Sequence, residues 1–128
     1  MKRDAELVRT LLLEAENHKE PTPKFLAIDG VDQRLLNRHL HIMHDAGLID
    51  IVPRSADHQP YGVIDLTWEG HELLAAIKDK RVWARLTDRL SSDDLSALPL
   101  STLRDIGLAL LKQEVAKEFG LTSSSRLD

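Results

Sequence analysis

The chain has 128 residues, enough for one domain or one small domain with an appendage, and it has no cysteine. That excludes disulfides, thiolate metal sites and thiol nucleophiles. Hydrophobic residues make up 42% but aromatic residues only 4%, so a core must come mostly from Leu, Ile and Ala. Seventeen Lys and Arg against 21 Asp and Glu give a net charge of −4, unlike the basic footprint of a strong non-specific nucleic-acid binder.

The first segment, MKRDAELVRTLLLEAE, predicts a helix over residues 4–18. Asp4 can cap it, and Leu7, Val8, Leu11, Leu12 and Ala15 recur at helical spacing. Its Leu run is broken by Glu14 and Glu16 with no cleavage pattern behind it, so it does not read as a signal peptide. No apolar stretch reaches bilayer length, and the expected location is cytoplasmic with no membrane partner. Pro21 and Pro23 force an extended path. Phe25-Leu26-Ala27-Ile28 then reads as a strand closed by Asp29-Gly30.

A second helix is expected from near Asp32 to Ala46. Its inward face holds Leu35, Leu36, His39, Leu40, Ile42 and Met43. Arg34, Asn37, Arg38, His41 and His44 fall outside that face. Gly47 suits a left-handed helix end, with Leu48 packing back. Residues 48–52 read as a strand, residues 53–60 as a long polar loop, and residues 61–66 as the antiparallel partner. Phe25–Ile28 is expected to pair with the strand at 48–52. Thr67 can cap the next helix, and Gly70 near its start implies close packing against another backbone. The apolar phase changes near Asp79, where that helix is expected to break. Ser91 to Asp94 reads as a linker or short capped turn. A last long helix, capped by Ser101, runs to about Phe119 and stops at Gly120.

Helix, strand, loop, strand, helix is the order of a winged-helix domain. The expected fold is α+β: a winged-helix-like core of three helices and a small three-stranded antiparallel sheet, with a C-terminal helical extension. The domain boundaries read as 1–90 for the core domain, 91–121 for the extension and 122–128 for a disordered tail. Only about fifteen residues separate the first strand from Gly47, so the helix that ordinarily precedes the reading helix is reduced to a turn or absent.

Four segments also carry a family resemblance: MKRDAELVRTLLLEAE, LLNRHLHIMHDAGLI, LTWEGHELLAAIKDKRVWARL and, more loosely, LRDIGLALLKQEVAKEFGL. Over about residues 1–121 the chain resembles an uncharacterised bacterial and phage family, the domain of unknown function numbered 2513. The resemblance implies a winged-helix-like fold and a phage or prophage context. It supplies no catalytic or binding residues.

The histidines and carboxylates give little chemistry. His39 sits on the apolar face and reads as a satisfied core group. His41 and His44 have a usable i,i+3 metal spacing, but no Glu stands where a helical zinc site needs its base. His71 can meet the loop or strand backbone. No phosphate loop and no nucleophile turn occur. No enzyme activity, cofactor or metal is expected. Trp68 is expected to cover the core edge and Trp83 to seal the join with the last helix.

Two functions fit. The first is a DNA-binding transcriptional regulator of phage or prophage type, with Arg34, Asn37, Arg38 and His41 on the reading helix and Arg54 and His58 on the wing. Against it, residues 21–65 hold four basic residues and six acidic ones. The alternative is a non-enzymatic protein-interaction module, an adaptor or inhibitor of a host protein. Its contact patch would be Trp83, Leu86 and Leu90, rimmed by Arg81, Arg85 and Arg89. The broad apolar last helix, with Leu110 and Leu111, further predicts a homodimer.

Overall fold

The computed structural model describes residues 3–120, and the predicted tail at 122–128 lies outside them. Helix α1 (Ala5–Asn17) begins where the Asp4 carboxylate accepts the amides of Glu6 and Leu7. Its stripe of Leu7, Val8, Leu11, Leu12 and Ala15 is buried as expected. Strand β1 (Lys24–Phe25) is shorter than the predicted 25–28 segment. Beyond it Leu26 donates one more bond to the Tyr61 carbonyl, and the chain turns at Gly30, whose φ is +82. No helix precedes α2 (Gln33–Asp45) between residues 26 and 32, so the position of the missing helix is a turn.

Asp32 caps α2, and Leu36, Leu40 and Met43 bury its inner face. Gly47 closes the helix at φ +78, with the Leu48 amide bonded back to the Met43 carbonyl at 2.9 Å. Strands β2 (Ile49–Val52) and β3 (Gly62–Leu66) form the expected hairpin. A register shift after Asp50 leaves Ile64 as the extra residue, and it is exposed.

The sheet order corrects the sequence expectation. β1 pairs with β3 and not with β2, giving the order β1-β3-β2. Glycine at 62 explains the choice. A Cβ there would stand 2.9 Å from Pro23 Cβ and 3.2 Å from the Phe25 ring, so the bare backbone of β3 lets β1 close over it. Just before β2, the Leu48 carbonyl accepts from the Thr67 amide just after β3, which carries the hairpin pairing one step further.

Thr67 caps α3 (Trp68–Lys78) by accepting the Gly70 amide, and its hydroxyl donates to the Gly47 carbonyl. Gly70 lies directly against the Leu48 carbonyl, the close backbone packing that the sequence implied. Trp68 does not cover the core edge. It is 75% exposed, because its place at the first helical residue points away from the layer that Leu66 and Gly70 seal. The helix breaks at Asp79, which ends α3 and caps α4 (Lys80–Arg89) through the amides of Arg81 and Val82.

Ser91 caps α5 (Ser92–Ala97), a full short helix where a linker or capped turn was expected. The last helix, α6 (Leu100–Glu118), starts one residue before the predicted cap. Ser101 is inside it, and the first turn closes on the Pro99 carbonyl, which accepts the Leu103 amide with no side-chain cap. Gly120 ends it at φ +70. α6 packs across α3, where Gly107 brings its backbone close to Ala76. Leu95, Leu100 and Leu103 therefore share one core with Leu11, Leu73 and Ile77.

Candidate functional site

The 53–61 loop folds back onto α2, and one side chain holds it there. Asn37 is 2% exposed. Its Nδ2 donates to the carbonyls of Asp57 and Gln59, both at 2.8 Å. Its Oδ1 accepts from the Tyr61 amide at 3.1 Å and from Gln33 Nε2 at 2.9 Å. Gln33 also donates to the Leu26 carbonyl, tying the chain before α2 into the same cluster. The loop's backbone groups thus find partners that no strand supplies. This corrects the expected outward position of Asn37, which is a buried clamp and not a surface contact. It lies at the border of the α2 stripe, where periodicity assigns a polar residue to water unless another segment covers it.

The clamp leaves a groove of about 390 Å³ between α2 and the loop. Arg34, Arg38, His41, Ile42, Asp57 and Tyr61 line it together with Asn37. Arg34 Nε lies 3.2 Å from Asp57 Oδ1, and His41 Nε2 lies 3.3 Å from Asp45 Oδ2. Arg38 is exposed and has no polar partner among the described residues. Arg54 stacks over the Phe25 ring at 5.1 Å, which pins the loop's first residues to β1. His58 is exposed at the loop tip. Arg34, Arg38, His41, Arg54 and His58 thus stay accessible on α2 and the loop, and Asn37 does not.

Other histidines are structural or bare. His39 is buried, with Nε2 accepting the Asp4 amide and Nδ1 facing the Leu35 carbonyl, both at 2.9 Å. The acceptor role of Nε2 places the proton on Nδ1. This joins α1 to α2 and fits the expected satisfied core group. His44 Nδ1 meets the Ile49 carbonyl, whereas His71 is exposed and does not reach the strand backbone. Among the described residues no cluster of His, Asp and Glu is set to hold a metal.

The second predicted patch is largely internal. Leu86 is 2% exposed and belongs to the core, because the α4 stripe packs inward against α3 and α6. Trp83 is half-buried, with Arg9 of α1 stacked on it at 5.1 Å. Leu90, Leu110 and Leu111 are half-buried against the core. Leu90, Ile106 and Leu110 line a shallow recess of about 150 Å³ rimmed by Arg85 and Arg89.

An ion network locks α4 to α6. Glu114 is buried and reaches Arg85 and Lys117, with Arg81 at 3.9 Å. Arg81 also bonds Asp79 and Glu118. The Arg81 hydrogen bond, helped by two backbone amides, holds the Asp79 carboxyl at about 2 although burial opposes it. The Lys117 hydrogen bond lowers Glu114 against the same opposing burial. Both groups therefore titrate lower folded than unfolded, and their ionised forms favour folding. For Asp79 that contribution is complete above the ordinary carboxylate range near pH 4 and is lost as pH falls toward about 2. Asp79→Asn keeps a capping side chain but removes the charge. Its melting temperature is expected to start below wild type at pH 7 and to fall less between pH 5 and pH 2.5. Parallel acid profiles for the two proteins would contradict the assignment.

A small α+β protein with a clamped hairpin loop beside one helix is the class these features define. The chain belongs to the family described as hypothetical protein DUF2513, whose pattern matches residues 2–96. It is similar to an uncharacterised protein of Haemophilus influenzae, 30% identical over 119 residues, which cover 91% of this chain and 100% of that protein. No solved structure matches the chain. No helix among the described residues is long and apolar enough to cross a membrane.

Proposed function

We propose that the protein is a winged-helix-like, non-enzymatic DNA-binding regulator that lays the outer face of α2 into duplex DNA with the 53–61 loop as its wing. One observation carries this reading: the buried Asn37 clamp fixes the loop beside α2, so Arg34, Arg38 and His41 line one open groove. Arg34 and Arg38 lie four residues apart, on one exposed face near the helix start. The N-terminal residues of a reading helix are the ones that reach base edges, while its flanks meet phosphate. Arg54 adds one more cation on the loop, and His58 is exposed at its tip. A resident of phage or prophage genomes with this build would act on phage or host genes.

The net charge of −4 sets the scale. Few phosphates can be neutralised, so non-specific binding is weak and best seen at low salt. Wild-type protein is expected to be retained on duplex DNA at about 50 mM salt and released as salt rises. Arg34→Ala/Arg38→Ala is expected to lose at least tenfold in affinity while melting unchanged, since both side chains are exposed. No retention of wild type at about 50 mM salt would remove the DNA reading.

A second reading is a protein-interaction module, and α6 favours it. Phe119 is 74% exposed, and Val115 is exposed one turn before it. An apolar stripe of this kind suits a second copy of the chain or a host protein.

A further inference from the structure

Arg34 is the second residue of α2, and only its inner nitrogen is engaged. Nε donates to Asp57 Oδ1 at 3.2 Å, while the two terminal nitrogens have no partner among the described residues. The side chains of Arg34 and Asp57 are 63% and 71% exposed, so the pair adds little to stability. Its effect is on orientation. A bond at Nε favours one plane of the guanidinium and leaves its outer edge, a fork of two donors, without a protein partner among the described residues, on a side chain that lines the groove.

Asp57 is itself held. Its carbonyl accepts from the buried Asn37, and the Gln59 amide closes a turn onto the Ala56 carbonyl at 3.1 Å. The chain of contacts therefore runs from a buried amide, through the loop backbone, to an exposed carboxylate, and from there to the guanidinium. An arginine on a helix surface without such a support samples many rotamers and loses that freedom on binding. Here part of that loss has already occurred before any ligand arrives.

A fork of two donors matches one base edge. Guanine presents two acceptors, N7 and O6, to the major groove. Adenine places a donor beside its N7, cytosine presents a donor, and thymine presents one acceptor beside a methyl group. Resting on the DNA reading above, we propose that Arg34 selects a guanine in the major groove and that Asp57 is its positioning residue. Arg38, one turn further along the helix, supplies charge toward the phosphate backbone.

The test uses the full chain and a duplex library with about twelve randomised base pairs, selected at about 50 mM salt, followed by competition with single-base variants of the selected duplex. Wild type is expected to fix at least one guanine whose replacement costs about tenfold in affinity. Asp57→Ala is expected to shrink that preference to within about twofold while keeping or raising total affinity, because the acceptor for Arg34 Nε and one negative charge are both gone. Arg34→Lys loses the preference too, having no fork. The melting temperature of each variant serves as the folding control. If wild type binds without a guanine preference, or if Asp57→Ala tightens every duplex alike and keeps the tenfold preference, the positioning role is overturned and DNA binding stands. If wild type retains no duplex at all, the DNA reading falls and this inference falls with it.

Discussion

Gly70→Ala is expected to lower stability by about 2 kcal/mol and the melting temperature by roughly 8 °C. The added Cβ would stand 2.0 Å from the Leu48 carbonyl oxygen and 3.0 Å from its carbon. Both are backbone atoms, and the same oxygen accepts the Thr67 amide at 2.9 Å, so it cannot move without breaking the hairpin's junction with α3. Alanine would gain about 1 kcal/mol in helix propensity over glycine. Overpacking against a fixed backbone costs about 3 kcal/mol and outweighs that gain. Gly107→Ala makes the comparison: its Cβ would meet the Ala76 Cβ at 3.0 Å, a side-chain contact with more room to adjust. Thermal melting by circular dichroism checks both. A stabilised Gly70→Ala protein would mean that α3 does not rest on the Leu48 carbonyl.

Asn37→Ala is expected to cost about 3 kcal/mol and to release the loop. The substitution strips partners from the Asp57 and Gln59 carbonyls, the Tyr61 amide and Gln33 Nε2. Asp57 lies on the exposed side of the loop, where water replaces part of the loss, and that keeps the cost below the sum of four bonds. Hydrogen exchange gives the local readout. The Tyr61 amide should lose its protection in Asn37→Ala, while the amides in the middle of α6 keep theirs. Equal protection at Tyr61 in both proteins would show that the loop is held by something other than Asn37. The same variant would loosen Asp57 and with it Arg34, so stability and recognition are coupled through one buried amide.

Several helix ends were legible because each carries its own local chemistry. Asp4, Asp32 and Thr67 accept the first amides of their helices, Gly47 and Gly120 adopt positive φ, and Asp79 breaks one helix and caps the next. Features decided by distant segments were not. The β1–β3 pairing depends on the bare backbone at Gly62, some forty residues from β1 in the chain, and no strand pattern encodes it. Asn37 read as wet because the periodicity of α2 cannot register a loop that folds over it. The signal was present in another form: a long hairpin loop has backbone groups that need partners, and Asn37 is the polar residue at the edge of the apolar stripe. Leu86 and Trp68 were misplaced for two different reasons. A stripe identifies a buried face but not which neighbour buries it, and a residue at a helix start can point away from the core next to it.

Amide chemical-shift mapping of the full chain against duplex DNA at about 50 mM salt separates a DNA-binding α2 face from a protein-binding α6. The DNA reading predicts shifts concentrated at residues 33–41 of α2 and 53–59 of the loop, with α6 unchanged. Shifts confined to α6 around Val115 and Phe119, or none at all, would contradict it.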